Sequence, residues 1–183
     1  MILEITQYGN PILRKKCQPV KEVTAELKKL AEDMIETMVD AQGVGLAAPQ
    51  IDWDLQLAVV DVSHDPECIT YLRVDGEDAK LESVMPLVFI NPSLEFGPDK
   101  ESATEGCLSI DGITAEVRRP TEVKATLELL DGRTIVVEAD GLLSRAIQHE
   151  VDHLNGILFV DRLSTASKVS IRRKLKRLGF HQQ

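Results

Sequence analysis

"DGLLSRAIQHEVDHLNG", Asp140 to Gly156, holds two histidines four residues apart, with a glutamate directly after the first. Residues three and four apart share a helix face, so Leu142, Ala146, His149 and His153 form one stripe and Leu143, Ile147, Glu150 and Leu154 the next. A third stripe, Arg145, Gln148, Asp152 and Asn155, is polar and is expected to take the wet side. The helix should run from Asp140 or Gly141 to Asn155, where Asn155-Gly156 makes a stop. His149, Glu150 and His153 then point inward among Leu, Ile and Ala. A buried carboxylate without a partner is costly and tends to neutralise, so Glu150 needs a reason to be there.

A divalent metal supplies that reason. Two imidazoles at i and i+4 converge on one ion, and a glutamate beside the first can take a proton from water at the ion's open position. The alternative is a helix with two core histidines satisfied by backbone acceptors; His-Glu-x-x-His between apolar flanks favours the metal. A catalytic site typically has a third protein ligand. His64 lies in a polar stretch and His181 is third from the C-terminus, so neither is attractive. Glu128 and Glu138 fit on pattern alone but fall on solvent faces of strands. Cys107 in "TEGCLSIDG" is better placed, because a thiolate is a strong ligand for a divalent transition metal.

Working outward, Leu27, Leu30, Ala31, Met34, Ile35, Met38 and Val39 recur at helical spacing behind Thr24, which predicts an amphipathic helix over 24–41. "LQLAVVDV" and "PLVFINPSLEF" read as strands, the first buried on both faces. Residues 63–85 between them read as a polar excursion with weak strand character around Ile69 to Val74, and no function is assigned to it. "TEVKATLELL" and "RTIVVEA" flank Asp131-Gly132, the signal of a two-residue hairpin. "ILFVD" after the motif helix reads as a short strand. Ser164 is expected to cap a last helix with Ile171, Leu175 and Leu178 on one stripe. Strands and helices do not alternate regularly, which implies α+β: antiparallel β-sheets packed around the motif helix, with an N-terminal amphipathic helix and a C-terminal basic helix, all in one domain over 1–183.

Composition agrees with a globular chain, at 43% hydrophobic and 28% charged residues. The apolar runs are too short to cross a bilayer, and the N-terminus lacks a basic region followed by an apolar one. Three widely spaced cysteines suit a reducing compartment, so a cytoplasmic location is expected. Lys168, Arg172, Arg173, Lys174, Lys176 and Arg177 sit in a tail without acids, while the rest of the chain sets 15 bases against 30 acids. Such a tail is either a solvated helix face or a docking surface for a polyanion such as RNA.

"GVGLAAPQ" (Gly43–Gln50), "EGCLS" (Glu105–Ser109) and "QHEVDH" (Gln148–His153) resemble, in order and spacing, the three signature motifs of the peptide deformylases. The resemblance runs from Tyr8 to Ser164 and includes "GNPILRK", "INP" and "LNGILFVDRLS". It implies a hydrolase that removes the N-formyl group from the formylmethionine of newly made proteins and releases formate. It further implies one divalent metal ion, characteristically Fe2+ with Zn2+, Ni2+ or Co2+ as substitutes, held by Cys107, His149 and His153. Glu150 would be general base and then acid, with the Gln50 amide and the Leu108 N–H holding the formyl oxygen. Val44, Leu142 and Ala146 would line the methionine pocket, and Gly45 would let backbone approach the peptide. From its charge, and not from the resemblance, the basic tail offers a candidate contact with ribosomal RNA. Asp111 stands where many members have proline, and Arg145 where some carry an apolar pocket residue. No nucleotide pattern is present. The rivals are a metallopeptidase, which needs a ligand downstream of His153, and a deformylase-like protein that binds formylated chains or ribosomes without turnover, which should have lost part of the set.

Overall fold

The run Leu57–Val60 is apolar at every position because both of its faces are covered. Leu57 and Val59 face a cluster with Leu27, Leu30, Ala31, Met34 and Met38, whereas Ala58 and Val60 face one with Leu143, Ala146, Ile147, Val151 and Leu154. Side chains of a strand alternate between its faces, so this one strand separates two helices. In the computed structural model, which describes residues 1–180, those helices are α1 (Ala25–Asp40) and α3 (Gly141–Leu154).

The elements between and after them, in chain order, are β1 (Gly45–Ala47), β2 (Leu57–Val60), β3 (Leu72–Val74), β4 (Glu77–Asp78) and the short α2 (Leu81–Val84). There follow β5 (Leu87–Phe96), β6 (Lys100–Cys107), β7 (Ile110–Pro120), β8 (Val123–Glu128) and β9 (Thr134–Ala139), and α4 (Thr165–Phe180) ends the described chain. Seven strands form one sheet in the order β1-β2-β5-β8-β9-β3-β4, with every neighbouring pair antiparallel. Strands β6 and β7 form a separate antiparallel ribbon. This is the expected α+β arrangement. No described helix is long and apolar enough to cross a membrane.

Local chemistry explains the boundaries. The Thr24 hydroxyl accepts the Leu27 N–H at 3.1 Å and starts α1, and the Ser164 hydroxyl accepts from Ser167 N at 3.2 Å ahead of α4. Asn91, with φ 48°, kinks β5, and its side chain holds both the N–H and the C=O of Val20. A third core joins Ile110, Ile113 and Val117 of β7 to Ile12, Leu13, Phe159, Leu163 and Ile171, so the ribbon and α4 are packed together.

Three expectations change. The β8–β9 connection is a three-residue loop, since Leu129 N bonds Arg133 O and Gly132 N bonds Leu129 O. Gly132, at φ 91°, supplies the left-handed residue that follows such a turn. "ILFVD" forms no strand: Phe159–Arg162 is a 3-10 turn, closed by Asp161 accepting the Leu158 N–H at 2.9 Å. A four-residue apolar run satisfies either geometry, and here the third core selects the turn. The stretch 63–85 is not wholly an excursion: the strand character expected around Ile69 to Val74 is realised as β3, which joins the sheet by pairing with β9 through Leu72↔Ala139 and Val74↔Val137.

Candidate metal centre and pocket

Strand β6 delivers Cys107 at its last residue, opposite the face of α3 that carries His149 and His153. Their candidate ligand atoms lie within 4.8 Å of one another, the only such group among the described residues. Cys107 Sγ is 3.3 Å from His153 Nε2, close to the roughly 3.5 Å edge of a tetrahedron built on metal–nitrogen and metal–sulfur bonds of about 2.0–2.3 Å. His149 is oriented from behind, its Nδ1 lying 3.0 Å from Glu105 Oε1. With Nδ1–H donating to that carboxylate, Nε2 keeps its lone pair for the centre.

The electrostatics follow from burial and neighbours. Burial, with the charges of His149 and Arg119, holds His153 well below the usual imidazole range, so it is neutral and able to ligate. Burial also lowers His149, but Cys107 and Glu105 outweigh it and raise the group to about 10. A cation between the thiolate and the imidazole would take the place of that proton. Burial pushes Glu150 up to about 7 against the pull of His149 and Arg119. Its Oε2 is a buried acceptor without a partner. A mixed thiolate and imidazole donor set beside a partnerless carboxylate oxygen fits one divalent transition metal.

Val44, Gly45, Gln50, Cys107, Leu108, Leu142, Ala146, His149 and Glu150 all line one cavity of about 440 Å³, between β1, the ribbon and α3. Asp111 is exposed at its mouth. Gln50 is locked at both ends of its amide: Oε1 accepts from Ala47 N at 2.9 Å, and Nε2 donates to Ser109 Oγ at 3.1 Å and lies 3.6 Å from Cys107 Sγ. Gly45 has a further reason to be glycine. A Cβ there would lie 2.4 Å from Glu150 Oε1, so the missing side chain makes room for the carboxylate.

The polar stripe of α3 is wet only at Asn155. Arg145, Gln148 and Asp152 are buried, and their partners come from the ribbon. Arg119 of β7 donates to Glu105 at 2.6 and 2.9 Å and to Asp152 at 2.8 Å. Arg145 Nη1 reaches Glu105 Oε2 at 2.7 Å and the Val117 carbonyl at 2.8 Å. Gln148 donates to the Pro120 carbonyl at 3.0 Å. Arg162, half-exposed, closes on Asp152 at 2.5 and 2.6 Å. Burial would raise the Glu105 carboxyl, yet His149 and Arg119 hold it down at about 2. Sequence reasoning gave Glu105 and Arg119 no role, although Glu105 opens the motif that contains Cys107.

Fold, donor set and pocket together define a metallohydrolase-like centre. A family model described as polypeptide deformylase matches residues 2–169. A peptide deformylase of Methylacidiphilum infernorum is 47% identical over 178 residues, which are 97% of this chain and 93% of that one. A peptide deformylase structure from Thermus thermophilus superposes with a TM-score of 0.80 at 36% identity, covering 99% of each chain. One from Synechococcus elongatus also gives 0.80 at 36%, covering 97% of this chain and 86% of that one. The chain belongs to the polypeptide deformylase family of enzymes.

Proposed function

We propose that this protein removes the N-formyl group from the N-terminal formylmethionine of newly made chains, releasing formate, in the cytoplasm. One observation carries the reading: Cys107, His149 and His153 converge beside a buried Glu150 oxygen that has no partner, at the wall of a cavity lined by Val44, Leu142 and Ala146. One divalent ion would be held by the three donors, and we assign it as Fe2+ in line with the family resemblance. When bound, such an ion polarises a carbonyl and makes water acidic enough to ionise near neutral pH.

The side chains then have defined tasks. Glu150 Oε2 accepts the proton of the attacking water, and the same carboxyl returns it to the leaving amine. The Leu108 N–H and the Gln50 N–H that lies toward Cys107 Sγ would donate to the oxygen on which charge develops, the Gln50 amide being held in place by Ala47 and Ser109. Val44, Leu142 and Ala146 receive the unbranched thioether side chain. Gly45 keeps the Glu150 carboxylate in reach of the reacting carbon. A metallopeptidase reading lacks support, because no further donor downstream of His153 joins the group among the described residues.

The test is formate release from a formyl-methionyl peptide by anaerobically purified, iron-loaded protein, with the unformylated peptide as control. Absence of formate, or cleavage of the control, would overturn the reading. Changing Cys107 to Ser should lower metal content by about 10-fold or more at limiting metal, since a neutral hydroxyl replaces a thiolate ligand. Elemental analysis showing full occupancy would remove Cys107 from the ligand set.

We also propose that α4 contacts ribosomal RNA. Lys168, Arg172 and Lys176 border a groove of about 650 Å³ together with Arg14, away from the metal centre. Deleting the helix is a poor test, because Ile171 is buried in the third core. The triple variant Lys168→Gln, Arg172→Gln, Lys176→Gln keeps that stripe. It should weaken ribosome co-sedimentation at low salt, with the salt slope reduced by about 1 per lost phosphate contact. Unchanged co-sedimentation would leave these bases as a solvated face.

A further inference from the structure

The segment that sequence reading left without a task meets the substrate pocket at the first turn of α3. Asp140 stands at the N-cap of that helix, yet its side chain makes no capping hydrogen bond. Both carboxylate oxygens go instead to Thr70: Oδ1 accepts the Thr70 N–H at 2.8 Å, and Oδ2 accepts its hydroxyl. The next residue, Gly141, has φ 56°, and a Cβ on it would lie 1.9 Å from the Cys68 carbonyl oxygen. Backbone from 68–70 therefore lies directly against the start of the helix. Strand β3 continues the same seam through Leu72↔Ala139, and Cys68, Ile69 and Leu142 pack on one core.

Leu142 follows immediately, and it lines the cavity that holds Glu150. A helix that lacks its own side-chain cap has a poorly fixed first turn, unless another element supplies the constraint. Here the other element is the segment 68–72, which packs on the helix start at Gly141, pairs with the preceding strand at Ala139, and is joined to the N-cap side chain by one bidentate contact. That contact is the polar link between the segment and the turn that carries Leu142, and so bears on the width of the pocket for the first side chain of the substrate.

We propose that Thr70 and Asp140 are positioning residues for substrate recognition: through their paired hydrogen bonds the 68–72 segment sets the Leu142 wall of the pocket. The inference rests on the reaction proposed above. Neither side chain reaches the metal donors, so the effect should fall on binding and side-chain selection and not on the chemical step.

Asp140→Ala removes both acceptors, Thr70→Val removes only the hydroxyl, and Asp140→Asn keeps an acceptor for the Thr70 N–H and a group that can pair with its hydroxyl. With formyl-methionyl peptide, KM should rise roughly fivefold to tenfold in Asp140→Ala and about twofold to fivefold in Thr70→Val, the range for loss of one or two modest hydrogen bonds. In both, kcat and metal content should stay at the wild-type level, and the preference for formylmethionine over formylalanine should narrow. Asp140→Asn should recover most of the wild-type KM. Wild-type KM and wild-type selectivity in Asp140→Ala would overturn the proposal, as would a fall in kcat and metal content at unchanged KM, which is the mark of general loosening. Absence of formate with the wild-type enzyme would overturn the reaction, and this inference with it.

Discussion

Replacing Glu150 by alanine is expected to lower kcat for formate release by about 10²–10⁴-fold, the usual contribution of a positioned general acid or base. Metal content should be unchanged, because Glu150 stands beside the donors and is not one of them. The size of the effect follows from its surroundings. The carboxylate is buried, Oε2 has no protein partner and burial raises the group to about 7, so it is placed to take up and return a proton near neutral pH. Stopped assays on metal-matched wild-type and variant protein measure this directly. A variant that keeps its metal and still turns over at the wild-type rate would end the role assigned to Glu150.

The second large effect is expected at Arg119, which the reaction does not touch. Its guanidinium is buried and joins Glu105 to Asp152, so Arg119→Met leaves two carboxylates facing each other with less compensation. Breaking a buried pair from one side costs about 3–5 kcal/mol. For a chain of this size that corresponds to a fall in unfolding temperature of roughly 6–20 °C. Metal affinity should also fall by about 10–100-fold, because Glu105 no longer holds His149 in place. Arg119→Lys should rescue little, since one ammonium cannot reproduce a fork that reaches two carboxylates. By contrast Arg162→Ala, at the half-exposed end of the same network, should cost about 1 kcal/mol or less. Thermal unfolding with metal analysis distinguishes the two, and equal losses would argue against a gradient from buried to exposed.

The contrast between α3 and the ribbon explains what could be read in advance. Helices α1 and α3, the β8–β9 hairpin and the burial of β2 were legible because each is a local periodicity or a local turn signal. Cys107, His149, Glu150 and His153 were legible because their spacing is chemically specific and their motifs resemble those of a known family. The polar stripe of α3 was misread because Arg145, Gln148 and Asp152 have partners far away in sequence. Glu105 and Arg119 stand four residues out of step in the ribbon, where Glu101↔Arg119 and Glu105↔Ala115 pair, and they meet only through side chains reaching along it, which no helical wheel contains. The turn at Phe159–Arg162 was hidden for a related reason: its geometry is chosen by a core assembled from four separate stretches of chain. Thr70 is exposed and lies in a polar stretch, so nothing local marks it as the partner of Asp140.

The buried guanidinium network also bears on which cations the proposed centre would admit. Glu105 touches the donor His149, Asp152 lies on the same helix as both histidines, and both carboxylates are already matched by Arg119, Arg145 and Arg162. An arriving ion therefore meets one thiolate and two imidazoles, with little surplus negative charge behind them. Magnesium and calcium, which need several oxygen ligands and gain most from anionic ones, find neither. Softer transition metals are bound through sulfur and nitrogen and lose nothing by the neutralised wall. On the proposed ligand set, discrimination against hard divalent ions would come from cancelled charge around the site, and metal loading in the presence of excess magnesium is the measurement that checks it.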